Sequence, residues 1–409
     1  MRSDTGAVLV HTALILIGLM ALSAFVVDRG VLWAARRQAQ NAADSGALAG
    51  AVTMFYDTNM SPTGVVLSTA NKIAASNPVW AEAPQVQSTF DCPSYAPWTG
   101  TPDCVRVDVY RDQDHGNPLP MYFGLLMGRP TQSIRATATA RVQYGNATDC
   151  LKPWGVVDKW AEHYPVEGAP YIQGSIYDRY LTSGPNKGQL DTSIPNPDVY
   201  IAPTAASVGT GFHPFNPDRS LSEDYGRQLW LTVGTKADFQ FGSGWFAALR
   251  FGDSSGGKDY GSTIKGCVGV TYQIGDEFEL DTGMETGAMV GPTRQAVETD
   301  ADSLLNKDPT ARWDPSANGG RGGVVDSAYR TSPRIVAVPL IDPDQVAQLN
   351  NDARRTLRIS NIMGFFVEGY DTPSKSVIGR LMTIPGLKTV GASPIGGESA
   401  FMHTISLIR

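Results

Sequence analysis

The sequence predicts an α+β chain: a long N-terminal transmembrane helix packed on a small antiparallel sheet, followed by a mainly antiparallel β domain. Three observations predict it. An uncharged stretch near the start is long enough to cross a bilayer and runs on into an alanine-rich helix. A short helix and strands of alternating apolar and polar residues come next. From residue 150 onward the composition turns to Gly, Pro, Asn, Asp and aromatics, the residues of turns and short strands. The chain of 409 residues holds 43 Gly and 27 Pro, which disfavours an all-helical fold. Its net charge of −7 and lack of any Arg/Lys-rich run argue against a nucleic-acid partner.

Ala7 to Val27 carries no formal charge. At 1.5 Å per residue it is about 31 Å long, which matches a hydrocarbon core of about 30 Å. A cleaved signal would show a shorter apolar region and a small-x-small cleavage site. Here the helical pattern continues instead through Asp28 and Arg29, so an uncleaved anchor is expected. Beyond the span, Leu32, Ala35, Ala39, Ala42, Gly46 and Ala49 recur at steps of three and four and share one helical face. Side chains this small let backbones approach closely, so the face is expected to be a helix-packing face. The first 57 residues hold four acids and four basic side chains, so the whole net charge belongs to the remainder.

Residues 64–76 predict a short helix ending before Asn77-Pro78. Residues 84–90, 104–111 and 134–144 predict strands, with Val105, Val107 and Val109 on one face and Ile134, Ala136, Ala138, Ala140 and Val142 on another. The apolar run 118–128 reads as a turn or short helix. The domains expected are therefore residues 1–6, a span at 7–27, an α+β unit at 28–145 and a β-rich domain at 150–409. In the last, strands are predicted at 228–233, 245–251, 268–272, 333–339, 356–362, 364–368, 375–383 and 401–408. One helix is predicted over 293–306, with Thr293 as N-cap.

The four cysteines, Cys92, Cys104, Cys150 and Cys267, include no C-x-x-C and no neighbouring histidine, a pattern of disulfides rather than zinc. Three pairings exist. Adjacency favours Cys92 with Cys104, across a turn-rich segment, and hence Cys150 with Cys267. A loop as short as the first is worth roughly 3 kcal/mol in the chain-entropy picture. Disulfides imply an oxidising compartment. The arginines count the other way: Arg2 on one side of the span against Arg29, Arg36 and Arg37 on the other would leave the bulk of the chain in the cytoplasm. The cysteines weigh more.

Enzyme chemistry has one foothold. Gly252-Asp253-Ser254-Ser255-Gly256-Gly257 fits G-x-S-x-G, which needs a strand before it and a helix after it. The strand is expected, but the residues that follow are poor helix formers. His115, His163, His213 and His403 offer no recognisable base. Asp218-x-Ser220-x-Ser222 has the spacing of a metal-dependent adhesion site without the preceding apolar strand. The acids at 298–302 and 342–344 lack calcium-loop spacing and read as solvated carboxylates. Neither catalytic residues, metal nor cofactor are expected.

The segment from Gly6 to Ala51 resembles the N-terminus of the TadE/TadG-like Flp (tight adherence) pilus-assembly proteins. The resemblance rests on the apolar span, then Asp28, Gly30, Arg36, Arg37, Gln38, Asn41, Ala42, Ala43, Asp44, Ala47, Leu48, Ala49 and Gly50. It extends to the strand at 104–110, the turn PMYFGLLMG and the strand ATATARV, and implies a pilin-like unit over 28–145. It also implies a bacterial inner-membrane protein with one pass, residues 1–6 in the cytoplasm and the bulk in the periplasm or at the cell surface. Partners would be other pilus-assembly and secretion proteins, met through the N-terminal helix, and a homo- or hetero-oligomer stays open. His11 stands where the related small pseudopilins carry the Glu of a prepilin-peptidase site after Gly6, so no processing is expected. The function read from the sequence is a non-enzymatic, membrane-anchored component of pilus assembly or surface adherence. The alternatives are a membrane-tethered periplasmic hydrolase using Ser254, or an adhesin or ligand-binding module.

Overall fold

In a computed structural model of the chain, the residues described are 5–56, 60–92, 103–124, 128–218, 220–234, 241–251, 257–267, 269–281, 287–349, 356–387 and 393–408. They divide into two compact units, Met1–Gln143 with Ile405–Arg409, and Tyr144–Thr404. The sequence predicts one domain over 150–409. The last residues depart from it, because Ile405 and Leu407 join the apolar cluster of the first unit and Gln143 Nε2 donates to Ser406 Oγ at 2.9 Å.

The first unit starts with α1 (Thr5–Tyr56), one unbroken helix. Every side chain from Val8 to Ser23 is exposed, and among the described residues this is the one helix long and apolar enough to cross a membrane. After Asp28 the same helix acquires a buried face at Val31, Ala35, Ala39, Ala42, Ala43, Ala47, Ala51 and Met54. Helix α2 (Val65–Ala75) covers part of it with Val66, Leu67, Ala70 and Ala74. The rest lies on the strands β1 (Gln85–Thr89), β2 (Cys104–Arg111) and β5 (Ile134–Tyr144), which pair antiparallel in that order. Between β2 and β5 the register sets Val105 opposite Ala140, Val107 opposite Ala138 and Val109 opposite Ala136. Each large residue thus faces a small one on the sheet face beneath the helix, so the layers interdigitate. The run 118–128, read as a turn or short helix, instead begins with β3 (Leu119–Pro120), paired with β4 (Thr131–Gln132).

The second unit is built on a mixed sheet that closes on itself. Strands β6 (Trp154–Val157), β7 (Gln228–Val233), β8 (Trp245–Ala248), β9 (Ile335–Ile341), β10 (Thr356–Asp371) and β11 (Ser376–Met382) run in the order β10-β9-β6-β8-β7-β11, and β11 pairs back onto β10. Closure is possible because the 16-residue β10 bonds β9 along its middle and β11 along its C-terminal half. Two of the pairings are parallel, β9 with β6 and β7 with β8; the others are antiparallel. All six strands feed one apolar cluster, including Trp154, Leu231, Phe246, Val338, Phe365 and Leu381. A seventh strand, Glu277–Glu279, pairs antiparallel with the start of β10 outside the ring, whose six strands have no free edge among themselves.

Four sequence expectations change in this unit. The strands 356–362 and 364–368 are one strand. The helix expected over 293–306 is three pieces, Val290–Arg294, a π turn at Gln295–Thr299, and Leu304–Lys307. Thr293 is not its cap but lies inside the first piece with its hydroxyl on Met289 O, while Ser303 caps the last by accepting from Asn306 N. The segment after the G-x-S-x-G string, read as non-helical, forms α3 (Gly257–Lys265), because Tyr260 and Ile264 bury one face of it. Of the strand expected at 268–272, Val268 lies outside the described residues, and strand pairing is confined to Tyr272–Gln273 with Ala147–Thr148 among the rest.

Close approach of α1 and α2 makes opposite predictions for two glycines. A Cβ on Gly46 would lie 2.7 Å from Ala74 Cβ and 2.8 Å from Ala70 O, whereas one on Gly30 meets nothing within 4 Å. Ala is a better helix former than Gly by about 1 kcal/mol. Gly30→Ala is therefore expected to raise the thermal midpoint of the detergent-solubilised chain, and Gly46→Ala to lower it, since an overpacked core costs about 1–3 kcal/mol of stability. Equal shifts of the same sign in circular dichroism melts would contradict this packing.

Candidate functional site

The place where structure departs most from an ordinary helix-on-sheet unit is the base of the stalk, where α1 leaves its apolar half. Asp28 is buried there, and its carboxylate accepts from three successive backbone amides: Tyr122 N at 3.0 Å, Phe123 N at 3.2 Å and Gly124 N at 2.7 Å. Charge-assisted bonds of this kind are about twice as strong as neutral ones. They pin the tip of the β3–β4 hairpin to α1, and Met121 N and Arg129 N close the hairpin on Pro130 O and Gly124 O. The pinned tip carries Tyr122, 58% exposed, and Phe123, 40% exposed. Two grooves flank it. One, of about 410 Å³, runs along Ala21, Ala24, Phe25, Arg29 and Leu32 on the helix and is walled by Met121, Phe123 and Arg129. The other, of about 550 Å³, is lined by Arg29, Leu32, Trp33, Arg36 and Gln132. Arg29 lies over the Phe25 ring at 5.4 Å and Arg37 over Trp33 at 5.6 Å.

The helix face predicted from spacing is divided. Ala35, Ala39, Ala42 and Gly46 are buried within the core of their own unit. Ala49 is half-buried and Leu32 lines both grooves. The small face is thus occupied by α2 and the sheet, and any partner of the folded stalk meets its other faces, where Trp33, Arg36, Arg37 and Asn41 are exposed. Gln38 Oε1, at the edge, accepts from Trp80 N at 2.7 Å. Asp28 carries part of the family resemblance, yet nothing in the sequence gives it a role; a charge directly after an apolar span, followed much later by an apolar hairpin, is the only trace of it.

Disulfides join Cys92 to Cys104 and Cys150 to Cys267, one in each unit. Ser254 lies outside the described residues; on either side, β8 precedes the string and α3 follows it. Asp218 accepts from both Ser220 N and Ser220 Oγ in a local turn. The acids at 298–302 are drawn to bases, Glu298 to Arg294 and both Asp300 and Asp302 to Lys265. Asp344, expected to be solvated, is instead half-buried and accepts from Tyr177 and Tyr180 hydroxyls at 2.7 and 2.8 Å. Among the described residues no three His, Cys, Asp or Glu side chains are grouped to hold a metal ion.

Lys152, Asp158 and His403 are among the titratable groups that the second unit buries. Lys152 Nζ donates to Thr263 O and Gly266 O, closing the C-terminal end of α3 where carbonyls lack partners, and burial lowers its pKa to about 7. Asp158 accepts from Phe212 N, Lys159 N and Tyr200 Oη, and burial raises its pKa to about 7. His403 lies between Tyr144 and Phe215, and burial lowers its pKa to about 3. Beside Asp158, Asp224 is buried against Lys159 Nζ at 2.6 Å and Arg227 Nε at 3.2 Å. Donors from the unit itself occupy these carboxylates, which ties the connecting loops to the ring.

Both sites yield tests. In Asp28→Ala the amides of Tyr122, Phe123 and Gly124 lose their acceptor, and hydrogen exchange there is expected to speed up about ten-fold or more, since bonds to a charged group are worth about 1.5–3 kcal/mol. Unchanged exchange would show that something else holds the hairpin tip. For pH, the unfolded chain keeps the Lys152 proton up to about 10.5 and the folded chain only to about 7. The unfolded state binds the extra proton in that window, so stability rises with pH across it. On the acid side Asp158, raised from 3.8 to about 7, and His403, lowered from 6.5 to about 3, act with opposite sign and offset each other. The thermal midpoint is expected to climb between about pH 7 and about pH 9.5, and to stay flat in Lys152→Met; parallel curves would remove Lys152 as the cause.

Residues 6–53 match the model of the family described as putative Flp pilus-assembly TadE/G-like. The match lies on α1 alone and bears out the resemblance over that segment. No curated protein and no solved structure matches the chain.

Proposed function

We propose that this chain is a single-pass inner-membrane component of Flp pilus assembly, with residues 7–27 in the bilayer, 1–6 in the cytoplasm, and the two units in the periplasm or at the cell surface. One observation carries the reading: the family match at 6–53 coincides with a continuous helix whose first half is apolar and exposed and whose second half is the spine of a folded unit. A helix lacking any polar face over about 30 Å is unstable in water and at home in a bilayer. The two disulfides agree with an oxidising side for the folded units. The role is non-enzymatic: the stalk presents Trp33, Arg36, Arg37 and Asn41 to neighbouring assembly proteins, while the ring unit supplies an extracytoplasmic surface for contact or adherence.

Deleting the gene is expected to abolish or sharply reduce surface pili and adherence, and the full chain supplied in trans to restore both. A chain lacking residues 7–27, given an export signal, is expected to fractionate as a soluble protein and to fail in rescue. Normal piliation in the deletion strain would refute the assembly role. Persistence of the truncated chain in washed membranes would refute the anchor.

A further inference from the structure

We infer that the groove at the base of the stalk is a binding site for one anionic phospholipid, a reading that rests on residues 7–27 crossing the bilayer. The groove has a polarity gradient along the helix axis. Along the helix its wall passes from Ala21, Ala24 and Phe25 to Arg29, and across from the helix it is walled by Met121, Phe123 and Arg129. From Ala21 to Leu32 is about 16 Å of helix, which straddles the boundary between hydrocarbon and headgroups when the span ends at Val27. An acyl chain fits the first part and a phosphate the second. Among the described residues neither Arg29 nor Arg129 is in an ion pair, and both are exposed. The one acid in the lining, Asp28, is turned onto three backbone amides, so the open charge of the groove is positive.

The same site gives a role to Arg29, which directly follows the apolar stretch and Asp28. Arg29, Arg36 and Arg37 oppose the positive-inside bias if the folded units lie outside the cytoplasm. Contact with anionic headgroups supplies a compensating attraction for basic residues at a membrane surface. Aromatic residues with one apolar and one wet side belong at the same depth. Tyr122, Phe123 and Trp33 are exposed there, and Asp28 fixes the hairpin tip that delivers two of them. The hairpin therefore acts as the second wall of a lipid site whose first wall is the anchor helix.

The test uses the full chain reconstituted into phosphatidylcholine vesicles with or without phosphatidylglycerol, followed by native mass spectrometry of the extracted protein. One phosphatidylglycerol retained per chain, preferred over phosphatidylcholine by about ten-fold, is expected, and the preference is expected to vanish in Arg29→Gln/Arg129→Gln but not in Arg312→Gln, a change in the second unit. Equal retention of the two lipids, or a preference unchanged in the double variant, overturns the lipid site while leaving the anchor intact. Failure of the wild-type chain to float with the vesicles overturns the anchor itself. A photoreactive residue at Phe123 is expected to cross-link to lipid; cross-linking to a second copy or another protein instead would assign the groove to a helix partner and overturn the lipid proposal.

Discussion

One helix has to satisfy two solvents, and the rest of the first unit follows from that constraint. Its early residues suit hydrocarbon only if their whole circumference is apolar. Its later residues belong to a water-exposed unit and need one buried face. The change comes within a turn of Asp28 and is carried by side-chain size as much as by polarity: alanines and glycines bring α2 and the β2–β5 sheet face close to the helix backbone. Burial of so little area per residue gives each contact a small contribution. The unit therefore depends on many close contacts, and on a sheet whose valines face alanines to leave room for the helix.

Asp28 stands where the two regimes meet. A carboxylate near hydrocarbon is unfavourable unless its oxygens are bonded. Here the amides of the hairpin tip serve as its partners, so solvation of the charge and positioning of the tip are a single interaction. The second unit solves a different problem. Its ring of six strands has an apolar cluster, and buried charges such as Lys152 and Asp158 are partnered, Lys152 by the end of α3 and Asp158 by the segments around Tyr200 and Phe212.

Much of the first unit is legible in the sequence because its signals are local. The uncharged span, the small residues at steps of three and four, and the alternation in 104–111 and 134–144 each need only a short window. What escapes is long-range. The pairing of β11 back onto β10 requires both strands to be seen together, and the return of Ile405–Ile408 to the first unit has no local mark. Ser303 outcompetes Thr293 as a cap because the chain bends at Asp300, a bend held by Lys265 from a distant helix. Similarly, α3 has poor propensity and forms because Tyr260 and Ile264 are buried and Lys152 closes its end. The clasp on Asp28 joins residues almost a hundred positions apart. Spacing alone also leaves open who packs on the alanine face; the structure fills it from within the chain.

The central claim is that a single helix passes from bilayer to protein core with the boundary beside Asp28. With both disulfides formed and no free thiol among the described cysteines, single cysteines can be placed along α1 and challenged with a membrane-impermeant maleimide in sealed vesicles whose outer face carries the folded units. Protection from Val8 to Val26, together with rapid labelling at Arg29, Trp33 and Arg37, is the predicted result. Labelling that continues unchanged through Leu14 to Phe25 would show that the apolar half is not in the bilayer and would contradict the claim.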